Sequence, residues 1–204
     1  MIKITKLDIS GVAAAVRGMR NPMNSWNNSD SEFNNFGGII GKNDMSLMLK
    51  LSKAGTDHAK FRRFIVVTCD ILAPLYWWKE FDTYKVGTVS NSCSTMHKIH
   101  SKEFTIDDFS CEHLIIANRA YLQAIIAILN DARKYFLETK DKLYWWQMIQ
   151  LLPSSYNQKR TVMLNYEVLA NMYKSRKNHK LDEWVNFCKW IEFLPCSEII
   201  TGGD

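Results

Sequence analysis

The sequence predicts an α/β (α+β) fold: a single domain over residues 1–204, with a mixed sheet, flanking helices and a helical C-terminal half. Three observations carry this. Ile2, Ile4, Leu7 and Ile9 alternate with Lys3, Thr5, Lys6 and Asp8, the period of a strand with a one-residue slip near Lys6. Phe64 to Thr68 is β-branched and suits a buried strand. From Cys111 onward apolar residues recur at helical spacing in successive segments. Strands early, helices late, no internal repeat and no long linker point to one α+β domain.

The elements follow in order. Gly11–Met19 is Ala-rich and predicts a short helix. Asn21–Gly38, rich in Asn, Ser and Gly and carrying Pro22, predicts a surface loop, with a lid over a ligand as the alternative. Asp44–Ser52 predicts a helix capped by Asn43 or Asp44 and broken by Gly55. Ile71–Tyr84 predicts a helix with Pro74 in its first turn, and Gly87 the turn out of it. Lys102–Phe109 is charged and loop-like. Cys111–Thr139, Leu143–Leu152 (ended by Pro153), Thr161–Arg176 and Leu181–Phe193 predict four helices whose apolar stripes are core.

The totals exclude several classes. The chain is 47% hydrophobic and 23% charged, an ordinary globular balance. No apolar run has the length of a membrane span. The start M-I-K-I-T-K-L-D-I-S lacks a signal peptide's apolar core, so a cytoplasmic protein is expected. A net charge of +5 is too small and dispersed for a nucleic-acid polymer, yet compatible with small anions. Five scattered cysteines without a C-x-x-C pair suggest neither a disulfide framework nor structural zinc. Cys93, His97 and His100 have no usual zinc spacing, and no metal is expected. Dinucleotide, phosphate-loop, zinc-protease and nucleophile-elbow motifs are missing.

The stretch Pro74–His97 concentrates the candidate chemistry. Tyr76, Trp77, Trp78 and Phe81 form an aromatic block, and Ser90 to Thr95 a run of small polar groups. Such a block fills a core, or it offers flat faces beside donors to a planar ligand such as a base or a flavin.

Three segments, taken together, resemble the flavin-dependent thymidylate synthases, the ThyX family. T-D-H-A-K-F resembles the family's E-H-x-x-F, with His58 on its His. Asn91 to Ser94, N-S-C-S, matches the end of the hallmark R-H-R-x-x-S-x-N-x-x-S-x-R; Thr83, Tyr84 and Lys85 fall on R-H-R, Glu80 on a preceding Gln, and Met96 on the final Arg. Leu152-Pro153, Asn165, Leu169, Asn171 and Arg176 fall in register, without a gap, on L-P and N-x-R-S-L-x-[HN]-F-x-x-x-R. The resemblance spans roughly Thr56 to Arg176.

The resemblance implies a homotetramer that binds FAD and uses NADPH and methylenetetrahydrofolate to convert dUMP to dTMP. It implies that His58, Tyr84, Lys85, Asn165 and Asn171 lie along the flavin. Glu80, Asn91, Ser94 and Arg176 would face the nucleotide, with Ser94 and Arg176 as catalytic candidates. The chain also departs from the pattern. Thr83, Met96, Ile149 and Glu167 stand where the family has Arg. Each lost charged pair at a phosphate removes on the order of 1.5–3 kcal/mol, so the alternative is a fold relative that binds flavin or nucleotide without methyl transfer.

Overall fold

The computed structural model describes residues 1–34 and 37–202. Asn35 and Phe36, within the predicted 21–38 loop, lie outside the described residues. The elements are β1 (Lys3–Ser10), α1 (Val12–Arg20), β2 (Glu32–Asn34), β3 (Gly37–Ile39), α2 (Lys42–Lys53), β4 (Val66–Pro74), α3 (Leu75–Phe81), β5 (Val89–Ser92), α4 (Ile116–Thr139), α5 (Lys142–Leu151), β6 (Asn157–Asn165), α6 (Tyr166–Arg176), α7 (Asp182–Glu192) and α8 (Glu198–Thr201). The main sheet runs β1-β4-β6-β5, and β2 and β3 form a small antiparallel hairpin. The α/β expectation holds. Lys6 takes a φ of 56° inside β1, a backbone break where the alternation slips.

Five expectations move. Ile71–Pro74 continues β4 instead of opening a helix, because burial alternates along Val66–Pro74 and the residue before a proline favours extended backbone. Pro74 becomes the cap residue of α3 rather than part of its first turn. Thr161–Asn165 is strand, not helix: Leu75 N donates to Tyr156 O at 3.0 Å and Tyr166 N to Ile65 O at 3.0 Å. These two bonds set an antiparallel β4–β6 register in which Asp70 faces Thr161, whose Oγ1 donates to it at 2.6 Å. The predicted 21–38 loop contains two 3₁₀ turns, Asn21–Met23 and Trp26–Asn28, and the hairpin. Neither Asn43 nor Asp44 caps α2; its cap residue is Gly41, and the Asp30 carboxylate accepts from Asn43 N and Asp44 N instead.

The chain divides into two compact units: Met1–Ile4, Asp70–Thr83 and Asn91–Thr161 make the first; Thr5–Cys69, Tyr84–Ser90 and Val162 onward the second. In the first, α4 buries Leu122, Ile126, Leu129 and Ala132, one stripe at helical spacing, in a core with Met148 of α5, Phe104 and Phe109. Lys140 in the left-handed region ends α4, and Asp141 caps α5 by accepting from Leu143 N. Asn130 pins the preceding loop, accepting from Phe104 N and donating to Phe104 O. Trp77, Trp78 and Phe81 are at most 1% exposed and meet at centroid distances of 4.8–5.1 Å. This aromatic block is core.

In the second unit, α6 packs against α7, α8 and the 3₁₀ turn Ala59–Phe64. Gly11 is required: at its φ of 85° a Cβ would stand 1.9 Å from Phe64 O. Two buried ion pairs cross this unit. Arg20 Nε meets Asp44 Oδ1 at 2.6 Å, and Arg62 Nε meets Glu167 Oε2 at 2.8 Å. The other Asp44 oxygen accepts from Ser29, from Ser31 and from the Asp30 amide, so the chain after α1 is tied to α2.

Burial raises the Asp44 carboxyl, but the hydrogen bonds from Ser29, Ser31 and Arg20, with the Arg20 charge, outweigh it and hold the group below its ordinary value of 3.8. A carboxyl lowered in the folded state stabilises above its unfolded pKa and loses that contribution as pH falls through the folded value. Asp44→Ala, which strands a buried arginine, should cost about 3–5 kcal/mol at neutral pH in urea unfolding. The gap from wild type should narrow below the ordinary carboxylate value of 3.8. A gap that stays constant into acid would assign the loss to packing alone.

Candidate functional site

In the second unit the fold brings Tyr84 to Arg176 and Trp184, which lie close together in sequence but far from it. Arg176, the last residue of α6, donates from Nε to Tyr84 Oη at 2.9 Å. Its guanidinium lies 4.9 Å from the Trp184 ring centroid and 5.7 Å from that of Tyr84. Tyr84 and Trp184 stand 6.0 Å apart, edge to face. Two of the residues singled out by the sequence thus meet, and Trp184, assigned there only to a core stripe, joins them.

The remaining flavin-side candidates share this unit. Lys85, Asn171 and His58 are exposed, and Asn165 is half-buried. Asn165 is the cap residue of α6, accepting from Val168 N at 3.0 Å, so its carbonyl is committed to the helix. A Cβ on Gly87, whose φ is 77°, would stand 2.9 Å from Asn165 Nδ2, so the 84–90 segment passes directly over that amide.

In the first unit Ser94 lines a cleft of about 460 Å³ with Thr95, Lys98, Lys102, Tyr156 and Lys159. Ser94 Oγ accepts from His97 N at 2.8 Å and Met96 N at 3.2 Å, an ordinary hydroxyl turn that leaves its hydrogen as what it can offer a ligand. Lys159 pairs with Asp70 at 2.8 Å, and Lys102 pairs with Asp108. Burial pushes the Tyr156 hydroxyl up, with the Asp108 and Cys93 charges adding to it, so it stays a proton donor. Glu80 and Asn91 belong to the same unit but are not among the cleft's lining residues. Arg160 was missed by the sequence reading. It stacks 4.2 Å from the Trp78 ring centroid, and binds Asp82 at 2.6 Å and Gln158 at 3.0 Å. Recognising β6 as a strand would have exposed its alternation. Among the described residues, no group of His, Cys, Asp or Glu is assembled to hold a metal ion, and no helix is long and apolar enough to cross a membrane.

Four positions that departed from the arginine pattern have defined local roles. Thr83 Oγ1 donates to Glu80 O. Met96 O accepts from Trp145 Nε1. Ile149 packs against the α4–α5 core. Glu167 is buried and paired with Arg62, whose Nη1 also donates to Ile199 O.

No protein-family model and no curated protein sequence matches the chain. Solved structures do match. Flavin-dependent thymidylate synthase ThyX from Helicobacter pylori, complexed with FAD and dUMP, superposes with a TM-score of 0.69 at 14% identity, over 97% of this chain and 96% of that one. A second structure of that enzyme, with FAD and dUMP at 2.31 Å resolution, gives 0.69 and 14% over 98% and 96%. The chain has the ThyX fold. The likeness runs nearly end to end, and it includes α1, α2 and α7, which lie outside the segments that carried the sequence resemblance.

Restoring an arginine at 167 in this version of the ThyX fold would set two guanidiniums together in the buried pair. Glu167→Arg should therefore destabilise by about 3–5 kcal/mol or more, and the exchange Arg62→Glu/Glu167→Arg should recover part of the loss in urea unfolding. A stable single variant would show that Glu167 is not held by Arg62.

Proposed function

We propose that the protein is a flavin-dependent thymidylate synthase, which methylates dUMP reductively to dTMP with methylenetetrahydrofolate and NADPH. One observation carries the reading: a TM-score of 0.69 over 97% of the chain to a synthase complexed with FAD and dUMP. Arg176, set in an aromatic frame beside Tyr84, supports it from this chain's own residues.

The residue types fit such ligands. A cation at Lys85, an imidazole at His58 and an amide at Asn171 are exposed on the second unit and suit the phosphates and polar ring edge of FAD. The flavin, when bound, supplies the hydride that completes the methyl group. The protein binds, orients and polarises: Arg176 would meet the nucleotide, Ser94 would donate its hydroxyl hydrogen, and Lys98 in the Ser94 cleft would offer positive charge to a phosphate. Glu80 and Asn91 complete the nucleotide candidates.

A homotetramer is part of the proposal. Ile116, Tyr121, Ile128 and Tyr135 are at least 49% exposed along α4, a row of large apolar side chains that a second copy would cover. Light scattering tests it.

The second reading, binding of flavin or nucleotide without methyl transfer, has its own observation. The residues at the four arginine positions are engaged in local structure, above all Glu167 in its buried pair.

Purified protein should take up FAD and show flavin absorption bands that sharpen on adding dUMP; flavin bands indifferent to dUMP, with no turnover, would favour the second reading. Arg176→Ala should abolish dUMP binding in calorimetry without unfolding the chain, and unchanged affinity would sink its assignment. Cys93, exposed and lining the Ser94 cleft, should react with iodoacetamide in the folded protein and be protected by dUMP. Cys188, buried and with its thiol pushed up to about 12 by burial and the Glu192 charge against the opposing Arg176, should react only on unfolding.

A further inference from the structure

We propose that Tyr84 and Trp184 are positioning residues that fix the Arg176 guanidinium in one orientation, so that it meets a planar nucleotide base or a phosphate with its fork already set. The inference rests on the reading of Arg176 as a nucleotide contact.

Three contacts, two from Tyr84 and one from Trp184, converge on one side chain. Tyr84 Oη accepts from Nε at 2.9 Å. The Tyr84 and Trp184 rings take the cation at 5.7 and 4.9 Å. Trp184 is itself packed on several sides: it is fully buried, edge-on to Phe187 at 5.8 Å and near His179 at 6.4 Å. An arginine ending a helix is ordinarily a solvated cation that complements the macrodipole. Arg176 instead turns half-buried onto aromatic faces, where a guanidinium stacks well and an ammonium poorly. With Nε donating to Tyr84, the guanidinium plane is set before the ligand arrives, which removes the ordering cost that a mobile arginine would meet on binding. Tyr84 then acts through Arg176, from a position where the family resemblance implies a flavin neighbour.

The test compares wild type, Tyr84→Phe, Trp184→Phe and Arg176→Lys in two measurements. The first is the arginine Nε–H NMR signal of Arg176 in ligand-free protein. It should be slowly exchanging and motionally restricted in wild type, and both properties should be lost in Tyr84→Phe, which removes one oxygen. The second is dUMP affinity by calorimetry, which should fall about tenfold in Tyr84→Phe with an unchanged melting midpoint, and fall less in Trp184→Phe, which keeps an aromatic face. On the Arg176→Lys background, Tyr84→Phe should add nothing. A mobile Arg176 in wild type, an unchanged signal in Tyr84→Phe, wild-type dUMP affinity in Tyr84→Phe, or full additivity with Arg176→Lys would each overturn the proposal. If wild type binds no dUMP, the nucleotide reading fails separately, and the positioning of Arg176 stands or falls on the NMR signal alone.

Discussion

The pairing of β4 with β6 is the constraint from which the rest follows. Two backbone bonds, Leu75 N to Tyr156 O and Tyr166 N to Ile65 O, close the ladder at its ends. Each strand runs straight into a helix, β4 into α3 at Leu75 and β6 into α6 at Tyr166. The register that satisfies the backbone polar groups therefore also fixes where both helices start. A slip of one residue would turn Val67, Cys69 and Ile71, all buried, toward the other face, and would shift the Asn165 cap from which α6 is aimed. Arg176 is the far end of that helix, so its position is set three turns away by a strand register.

The charges of the second unit show how a fold can persist while its polar residues are reassigned. Glu167 stands where the resembling family carries an arginine, and the structure answers with Arg62 as its partner, both nine-tenths or more buried. The pair keeps one guanidinium in place but ties it to Glu167 and Ile199 O. A buried pair of this kind adds little net stability, yet it is expensive to break by halves. That asymmetry means that neither partner can be changed alone without cost.

Much of the architecture was legible in the sequence. The slip at Lys6, the α5 stop at Pro153 and the Gly87 turn are local signals, and each is where the pattern put it. The α4 stripe is rotated: Leu114, Ile115, Tyr121 and Ile128, expected in the core, are exposed, while Leu122, Ile126 and Ala132 join Leu129 inside. The two stretches of strand read as helix share one cause. Ile71–Pro74 and Thr161–Asn165 carry apolar residues that suit either period, and what makes them strands is pairing across about ninety residues of chain, Ile71–Pro74 with Asn157–Arg160 and Thr161–Asn165 with Val66–Asp70, which no local window contains. The candidate site divides in the same way. The register of Asn165, Asn171 and Arg176 on one segment was visible, whereas the meeting of Arg176 with Tyr84 and Trp184 is tertiary, and Trp184 carried no signal beyond that of a core aromatic.

The aromatic residues finally sort by what they can still touch. Trp77, Trp78 and Phe81 spend their faces on one another, and their polar edges go inward: Trp78 Nε1 donates to Gln158 O at 3.0 Å. They cannot stack on a ligand without unpacking the first unit. Arg160 covers Trp78 and is itself tied to Asp82, whereas Tyr84 and Trp184 both face one half-buried guanidinium, that of Arg176. A cation held on aromatic faces is partly stripped of water before any ligand binds, so less desolvation remains to be overcome at the moment of contact. On the proposed reading of Arg176 as a nucleotide contact, the same stacking is what would let a single arginine serve where the related pattern uses several.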